Sequence, residues 1–164
     1  MSDNYAVING KRLELTEEQL SMLGVETRNN PFKRGGQHVR YFYIDSDDNI
    51  YKDFDSYLAI DNRRFERVNY FSDEELARQV ALHQLLYRKL LKFAYDNGYE
   101  DTTEWDGINM HWSIEYNTCR NAFSLNWYNT YKSQEVYFSS EEGAEHAIKE
   151  VVEPFMKEHM EFVW

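Results

Sequence analysis

The sequence is poor in the residues that cross-link, interrupt or anchor a chain. One cysteine, Cys119, stands among 164 residues, so no disulfide can form within the chain. Only two prolines and seven glycines occur, and no stretch approaches the roughly 20 apolar residues that cross a bilayer. The opening MSDNYAVING lacks the basic start and apolar run of a secretion signal. We therefore expect a folded protein of the cytoplasm that has no membrane partner.

Positive charge is also scarce, and the excess of acid is clustered. Lysine and arginine number 18 against 29 aspartates and glutamates, which gives a net charge of −11. Because phosphate backbones attract cations, this balance argues against direct nucleic-acid binding. One acidic cluster lies around a predicted hairpin turn and the other in a later link. The candidate partner-binding residues are Asp45, Asp47, Asp48, Asp53, Asp55, Glu100, Asp101, Glu104 and Asp106.

These acidic clusters have two interpretations. In the first, they are solvated loops, as charge runs usually are. In the alternative, the carboxylates imitate the phosphates of nucleic acid and occupy the basic groove of a nucleic-acid enzyme, which would make association fast and salt-sensitive.

Signals of catalysis and of metal binding are missing. No GxSxG, phosphate-binding loop or pair of catalytic carboxylates occurs, and no histidine has zinc-ligand spacing. The run DSDDN from Asp45 starts like a calcium loop, but Ile50 and Ser56 stand where the glycine and the bidentate glutamate are needed. Cys119 and His111 could be a nucleophile and a base, but Cys119 lies in a predicted turn and not at a helix N-terminus, where reactive thiols are activated. We predict no catalytic residue, metal or cofactor; a small enzyme or nucleotide-binding sponge stays an alternative that requires a pocket.

What the chain has in excess is aromatic residues, with 13 tyrosines, 10 phenylalanines and four tryptophans. Tyrosine suits half-buried strands and binding surfaces alike. Asn9-Gly10 predicts a hairpin with a type I′ turn, and Thr16 to Gln19 has capping-box spacing for a short helix that stops at Gly24. Residues 39–44 and IYKDF predict a second hairpin, followed by a strand over 65–71.

Helical periodicity starts at Asp73 and continues to Asn97-Gly98, which predicts a helix of about 24 residues. In the second half, alternation over 110–116 and 123–128 predicts another hairpin. A short strand over 135–138 and a helix from Ser139 follow, with a kink or break at Pro154.

YFSDEE at Tyr70 and YFSSEE at Tyr137 begin the two long helices. Ser72 with Glu75 and Ser139 with Glu142 have capping-box spacing, and each motif follows a predicted hairpin and strand. We therefore predict an internal duplication of a β-β-β-α unit, over 37–98 and 108–162, within one domain spanning 1–164. Residues 1–30 add a hairpin and a short helix. The fold class is α+β, a mostly antiparallel sheet with two long helices on one face and a tyrosine-rich face for a partner or for homodimerisation.

Five segments carry a resemblance over nearly the whole chain: INGKRLELTEEQL, YFYIDSDDNIY, FERVNYFSDEELA, LLKFAYDNG and VYFSSEEGAEHAIKEVVEPFMKEH. With them the chain resembles short acidic accessory proteins encoded by phages, prophages and conjugative elements of Gram-positive bacteria. The matching motifs are caps, turns and strand ends, so no catalytic residues are carried over. The resemblance implies action in the host bacterial cell, and small acidic proteins of such elements include anti-CRISPR proteins and other anti-defence factors.

The leading prediction is a non-enzymatic inhibitor that binds a host protein, such as a CRISPR effector nuclease, stoichiometrically through its acidic surface. The first alternative is a protein-interaction module of phage replication or regulation that binds through the tyrosine-rich face. One structural question decides between classes of ligand. If Arg34, Arg40, Arg63, Arg64 and Arg67 converge, nucleic-acid or nucleotide binding is open again despite the net charge of −11.

Overall fold

The computed structural model describes residues 5–23, 30–100 and 105–164. The predicted helix stop at Gly24 and the candidate residues Asp101 and Glu104 lie outside the described residues. The fold is α+β, as predicted: six strands pair only with antiparallel partners, and helices follow the hairpins in each half.

The elements follow one another in an order that repeats. The N-terminal hairpin is β1 (Tyr5–Ile8) and β2 (Lys11–Glu14), followed by the helix α1 (Glu17–Met22). The first half continues with β3 (Arg40–Ile44), β4 (Ile50–Phe54), α2 (Ala59–Glu66) and α3 (Glu74–Asp96). The second half has β5 (His111–Asn117), β6 (Ala122–Tyr128), α4 (Glu141–Ala147), a π-helical segment (Ile148–Val152) and α5 (Glu153–Glu158).

Turn chemistry sets the hairpins. Asn9 and Gly10 both have positive φ, 50° and 77°, which is the type I′ geometry that their sequence predicts. Asp48 in the β3–β4 turn and Asn121 in the β5–β6 turn also adopt positive φ, which asparagine and aspartate tolerate well. The single cysteine, Cys119, lies exposed in the β5–β6 turn.

The predicted single sheet is wrong in detail, because the strands form three separate two-stranded sheets. In place of a third strand, each half adds one bridging residue. Phe71 exchanges two backbone hydrogen bonds with Phe42 of β3, at 2.8 and 2.9 Å, and Phe138 does the same with Trp112 of β5. These bridges lie inside the two YFS motifs. The motifs thus have equivalent places in the two halves. Residues 37–98 are called the first unit below and residues 108–162 the second unit.

The strand predicted over 65–71 is also wrong, since Phe65 and Glu66 end the helix α2. FERVNYF is rich in strand-favouring side chains, but local capping prevails. The Asp61 carboxylate accepts hydrogen bonds from the backbone N–H of Ser56 and Leu58, both at 3.0 Å, and so satisfies donors at the start of α2.

The long helices begin one residue later than their capping boxes predict. Asp73 and Ser140 are the N-caps of α3 and α4, and their side chains accept from the N–H of Leu76 and Gly143. Ser72 instead donates to the carbonyl of Pro31, which fastens the loop before β3.

The core lies between α3 and the second unit. Buried residues of α3 pack against the bridge residue Phe138 and against Val152 and Phe155. The predicted irregularity at Pro154 is present: the chain widens into the π-helical segment just before it, where proline at the start of α5 lacks an N–H to donate. Within the described ranges, no helix combines the length and apolar character needed to cross a bilayer.

Candidate functional site

A network of buried charges lies between the β3–β4 hairpin, α2 and the loop before β3. Its centre is Asp55, whose side chain is fully buried, and Arg34 binds both of its carboxylate oxygens at 2.5 and 2.8 Å. The Tyr70 hydroxyl and the N–H of Tyr57 also donate to this carboxylate. A third nitrogen–oxygen contact of Arg34, with the Asn62 side chain at 2.8 Å, fastens the loop to α2.

Tyr41 connects a second part of the network. Its hydroxyl donates to the buried Asp61 at 2.7 Å and accepts from Arg64 at 2.6 Å. Arg64 also binds Asp53 at 2.8 Å, and the ring of Tyr41 stacks on Tyr70 at 4.1 Å between centroids. Every charge in this network therefore has an opposite charge or a hydroxyl against it.

The electrostatics of the network keep each group in one protonation state at neutral pH. The hydrogen bonds from Arg34 lower the pKa of Asp55 to about 2, against the opposing effect of burial. Burial raises the pKa of Asp61, but the hydrogen bonds from Tyr41, Ser56 and Leu58 outweigh it, and the result is a lowered pKa. Burial and the bond to Asp61 raise the pKa of Tyr41 to about 12.

General acids and bases work best with a pKa near the operating pH, and neither Asp55 nor Tyr41 meets that condition. The network instead fixes α2 against the hairpin. It thereby sets the direction in which the arginines of α2 point.

Beside the network opens a cavity of about 730 Å³ with several guanidinium groups on its wall, called the arginine pocket here. The end of α2 supplies Arg63, Arg64 and Arg67, and α3 supplies Arg88. The remaining lining residues come from the β3–β4 turn, α2, α3 and the link between the helices: Ile44, Asp45, Ser46, Asp48, Ile60, Val68, Asn69, Phe71 and Gln84. Four arginines against two aspartates give a positive pocket on an acidic protein.

Two of the four pocket arginines have side-chain partners, and two have no ion pair with a described residue. Arg88 pairs with Asp48, and Arg64 with Asp53 and Tyr41. Arg63 and Arg67 are exposed, and neither forms an ion pair with a residue that the structure describes. Arginines near a helix C-terminus complement the helix dipole, which is a sufficient reason for Arg63 and Arg64 alone. It does not account for Arg88, which reaches the same cavity from another helix.

The pocket also has a strained residue at its edge. Val68 lies 62% exposed on the pocket and adopts a φ of +55°, a region that β-branched residues avoid. It occupies the left-handed position that ends α2, where the N–H of Val68 bonds to the carbonyl of Phe65 and that of Asn69 to Arg64. The corresponding position after α3 is Gly98, with φ +83°. A strained, exposed residue on a cavity gives reason to test the cavity for function.

Asn69 fixes the other side of the pocket. Its side-chain amide binds the backbone N–H and carbonyl of Ile44, both at 2.8 Å. This pair of bonds joins the link after α2 to the end of β3, so the pocket has a rigid wall.

The structure uses most of the first predicted acidic cluster internally. Asp55 is buried, so its carboxylate is not part of any surface that a partner could contact. Asp53 and Asp48 pair with arginines, and the Asp45 carboxylate accepts from the N–H of Asp47 and Asn49 within the turn. Asp47 is the member of this cluster that is exposed.

In the second cluster, Asp106 closes a turn by accepting from the N–H of Ile108 and Asn109, and these bonds lower its pKa. Glu100 is exposed. The predicted mimic of nucleic acid thus has Asp47, Glu100 and Asp106 as exposed carboxylates among the described candidates.

The five arginines in question divide between three places. Arg63, Arg64 and Arg67 converge on the arginine pocket, Arg34 lies in the buried network, and Arg40 lies over the ring of Phe42 at 5.5 Å. Arg88 also lines the pocket, although it was not among the predicted residues. Its place on the polar side of α3 is the sequence signal that could have pointed to it. Among the described residues, no three acidic, histidine or cysteine side chains group closely enough to hold a metal ion.

No family model, curated protein or solved structure matches this chain. The candidate site is therefore supported by its own geometry and charge.

Proposed function

We propose that the protein is a non-enzymatic binding protein whose arginine pocket takes up a phosphate-bearing ligand. The observation that carries this proposal is the convergence of Arg63 and Arg67, unpaired among the described residues, with Arg64 and Arg88 around one cavity. Guanidinium groups bind phosphate through paired, charge-assisted hydrogen bonds.

The walls of the pocket favour a ligand that also has an apolar part. Ile44, Ile60 and Val68 line it beside the guanidinium groups. A small phosphorylated metabolite or a nucleotide combines both features, whereas a long nucleic acid would meet the net charge of −11 outside the pocket. This proposal corresponds to the nucleotide-binding alternative, with the exposed and strained Val68 as a contact.

Isothermal titration calorimetry with inorganic pyrophosphate and ATP tests the proposal. We expect both to bind the unmodified protein, and we expect the Arg63→Gln and Arg67→Gln variants each to weaken binding by about ten- to a hundredfold, because charge-assisted hydrogen bonds contribute about 1.5–3 kcal/mol. Citrate, an anion without phosphate, should bind more weakly than pyrophosphate.

The matched control is Arg78→Gln. Arg78 lies on α3, pairs with Glu74 and is not part of the pocket. Arg78→Gln removes the same charge but lies outside the pocket. The affinity of this variant for pyrophosphate should therefore stay at the level of the unmodified protein. Absence of binding, or equal affinity in the double variant of Arg63 and Arg67, would overturn the proposal.

A second candidate is the predicted stoichiometric inhibition of a host nuclease, such as a CRISPR effector. The net charge of −11 and the exposed carboxylates of Asp47, Glu100 and Asp106 support it. Opposite fields on two proteins accelerate their encounter and make it salt-sensitive.

Cleavage assays with a panel of effector nucleases, with and without the protein, test this second candidate. Inhibition should weaken on Asp47→Lys and Glu100→Lys and should persist in Glu145→Lys, which changes the same charge on the exposed side of α4. Unchanged cleavage across the panel would contradict it, and this result would leave the pyrophosphate measurement unaffected.

A further inference from the structure

Arg64 and Arg88 both have carboxylate partners, but the two partners lie in different places relative to the arginine pocket. Asp53, the partner of Arg64, is not among the residues that line the pocket. Asp48, the partner of Arg88, does line it, and its Oδ2 lies 2.5 Å from Nη2 of Arg88. A carboxylate of the protein therefore occupies one of the guanidinium groups of the proposed ligand site.

The ion pair between Asp48 and Arg88 connects two elements and is open to solvent. Asp48 belongs to the β3–β4 turn, and Arg88 belongs to α3. The side chain of Asp48 is 26% exposed and that of Arg88 is 50% exposed, so a dissolved anion can reach the pair. Ion pairs between partly exposed side chains are weak. An anion with more charge than one carboxylate can therefore displace Asp48 from Arg88.

The β3–β4 turn does not depend on the side chain of Asp48. The Asp45 carboxylate accepts from the N–H of Asp47 and Asn49, and the N–H of Asp45 bonds to the carbonyl of Asn49 at 3.0 Å. Asp48 itself has a φ of +65°, which asparagine tolerates as well as aspartate does. The turn should therefore persist when the Asp48 side chain leaves Arg88 or is replaced by asparagine.

We propose that the ligand of the arginine pocket has two phosphate groups, of which one binds Arg63 and Arg67 and the other displaces Asp48 from Arg88. Arg63 and Arg67 lie four residues apart at the end of α2, and neither has an ion pair with a described residue, so a first phosphate binds them without displacing a carboxylate. A second phosphate exchanges one charge-assisted bond of Arg88 for another.

Asp48 is thus an internal competitor that limits the affinity for such a ligand. A single phosphate is held by the free arginines of α2 and leaves the pair of Asp48 and Arg88 in place. This inference rests on the proposed function and narrows its ligand class to diphosphates, of which a nucleoside diphosphate is one form.

Isothermal titration calorimetry of Asp48→Asn with inorganic pyrophosphate and with orthophosphate tests the competition. The variant should bind pyrophosphate about fivefold more tightly than the unmodified protein does, because the ligand no longer has to displace a carboxylate from Arg88. Its affinity for orthophosphate should change by less than about twofold, because a single phosphate does not use Arg88. Equal gains for the two anions would overturn the inference.

The matched control is Asp47→Asn. It removes the same charge from the same turn, but Asp47 is exposed and does not line the pocket, so the affinity for pyrophosphate should change by less than about twofold. Equal tightening by Asp47→Asn and Asp48→Asn would mean that net charge limits binding, and it would contradict the role of Asp48.

The same measurements separate this inference from the proposed function. If pyrophosphate binds the unmodified protein and Asp48→Asn with equal affinity, the competition by Asp48 is refuted and the proposed function stands. If pyrophosphate binds neither protein, the proposed function fails, and the diphosphate inference fails with it.

Discussion

The first and second units have the same order of hairpin, bridging phenylalanine and helix, and they differ in the side chains packed around these elements. In each, a bridging phenylalanine pairs with the first strand of the hairpin, and the tyrosine before it lies buried beside a ring from that strand. In the first unit Tyr70 stacks on Tyr41 at 4.1 Å, and in the second Tyr137 meets His111 edge-on at 6.2 Å. The backbone is alike while the surroundings diverge.

The two units differ in whether their buried polar atoms have hydrogen-bond partners. The first unit inserts α2 between its hairpin and its bridge, and α2 brings Asp61 and Arg64 onto Tyr41. The second unit has no helix there. Trp105 stacks on His111 at 3.9 Å instead, and three buried side-chain atoms have no hydrogen-bond partner among the described residues: Trp105 Nε1, His111 Nε2 and Ser113 Oγ. The arginine pocket depends on the inserted helix, so the proposed ligand site belongs to the first unit.

The largest difference should appear on removing Asp55. Asp55→Ala leaves Arg34 without its carboxylate in a partly buried site, and breaking such a pair costs about 3 kcal/mol or more. Urea denaturation should show that loss in the free energy of unfolding. Asp47→Ala, in the same hairpin but exposed, should change the free energy of unfolding by less than about 0.5 kcal/mol. A small effect of Asp55→Ala would contradict a structural role for the network.

The same carboxylate should make stability depend on acid pH. The pKa of Asp55 is about 2 in the folded protein, below the unfolded value near 3.9. Its stabilisation is therefore present above pH 4 and is lost as the pH falls toward 2, by about 2 kcal/mol. Denaturation midpoints measured from pH 5 to 2 should fall less steeply in Asp55→Asn, and parallel curves would refute the assignment.

Matched substitutions in the two units should give effects of different size. Tyr41→Phe removes a hydroxyl that donates to Asp61 and accepts from Arg64, so about 1–2 kcal/mol should be lost. His111→Phe removes the buried Nε2, which has no hydrogen-bond partner among the residues that the structure describes, and the protein should keep or gain stability. Thermal unfolding of both variants gives the comparison. A larger loss for His111→Phe would mean that the second unit has a hidden partner for this ring.

The smallest predicted effect concerns the ends of two helices. Val68→Gly should raise the free energy of unfolding by about 1 kcal/mol, because glycine adopts positive φ without strain. Gly98→Ala at the equivalent position after α3 should lower it by a similar amount. Calorimetry measures both. If Val68→Gly also weakens pyrophosphate binding, the strained valine contributes to the ligand rather than to the fold.

Sequence patterns predicted most turns and helix bounds correctly, because turn residues and helical periodicity act over a few neighbouring residues. Asn9-Gly10 predicted the first turn, and helical periodicity with Asn97-Gly98 predicted α3 almost to its last residue. The YFS motifs predicted equivalent places in two units. The caps were off by one residue, because the side chains of Asp73 and Ser140, the residues after the predicted serine caps, accept from N–H groups at the start of each helix.

The helix α2 and the arginine pocket could not be read in the same way. FERVNYF has strand-favouring composition, whereas the helix depends on the capping hydrogen bonds of Asp61. Nothing in the sequence distinguishes Asp61 from an acidic residue in a loop. Arg63 and Arg67 are close in sequence, but Arg88 joins them only when α3 packs beside the hairpin. Convergence of this kind depends on tertiary structure. The same holds for Asp55, which looks like a surface charge until Arg34 covers it.

The single cysteine gives this protein a natural reporter position. Cys119 is exposed in the β5–β6 turn of the second unit. A fluorophore attached to this thiol would sit at one place only, without any engineered residue, on the unit that does not line the arginine pocket. The distance from that dye to a labelled nucleotide would locate the bound ligand relative to the second unit.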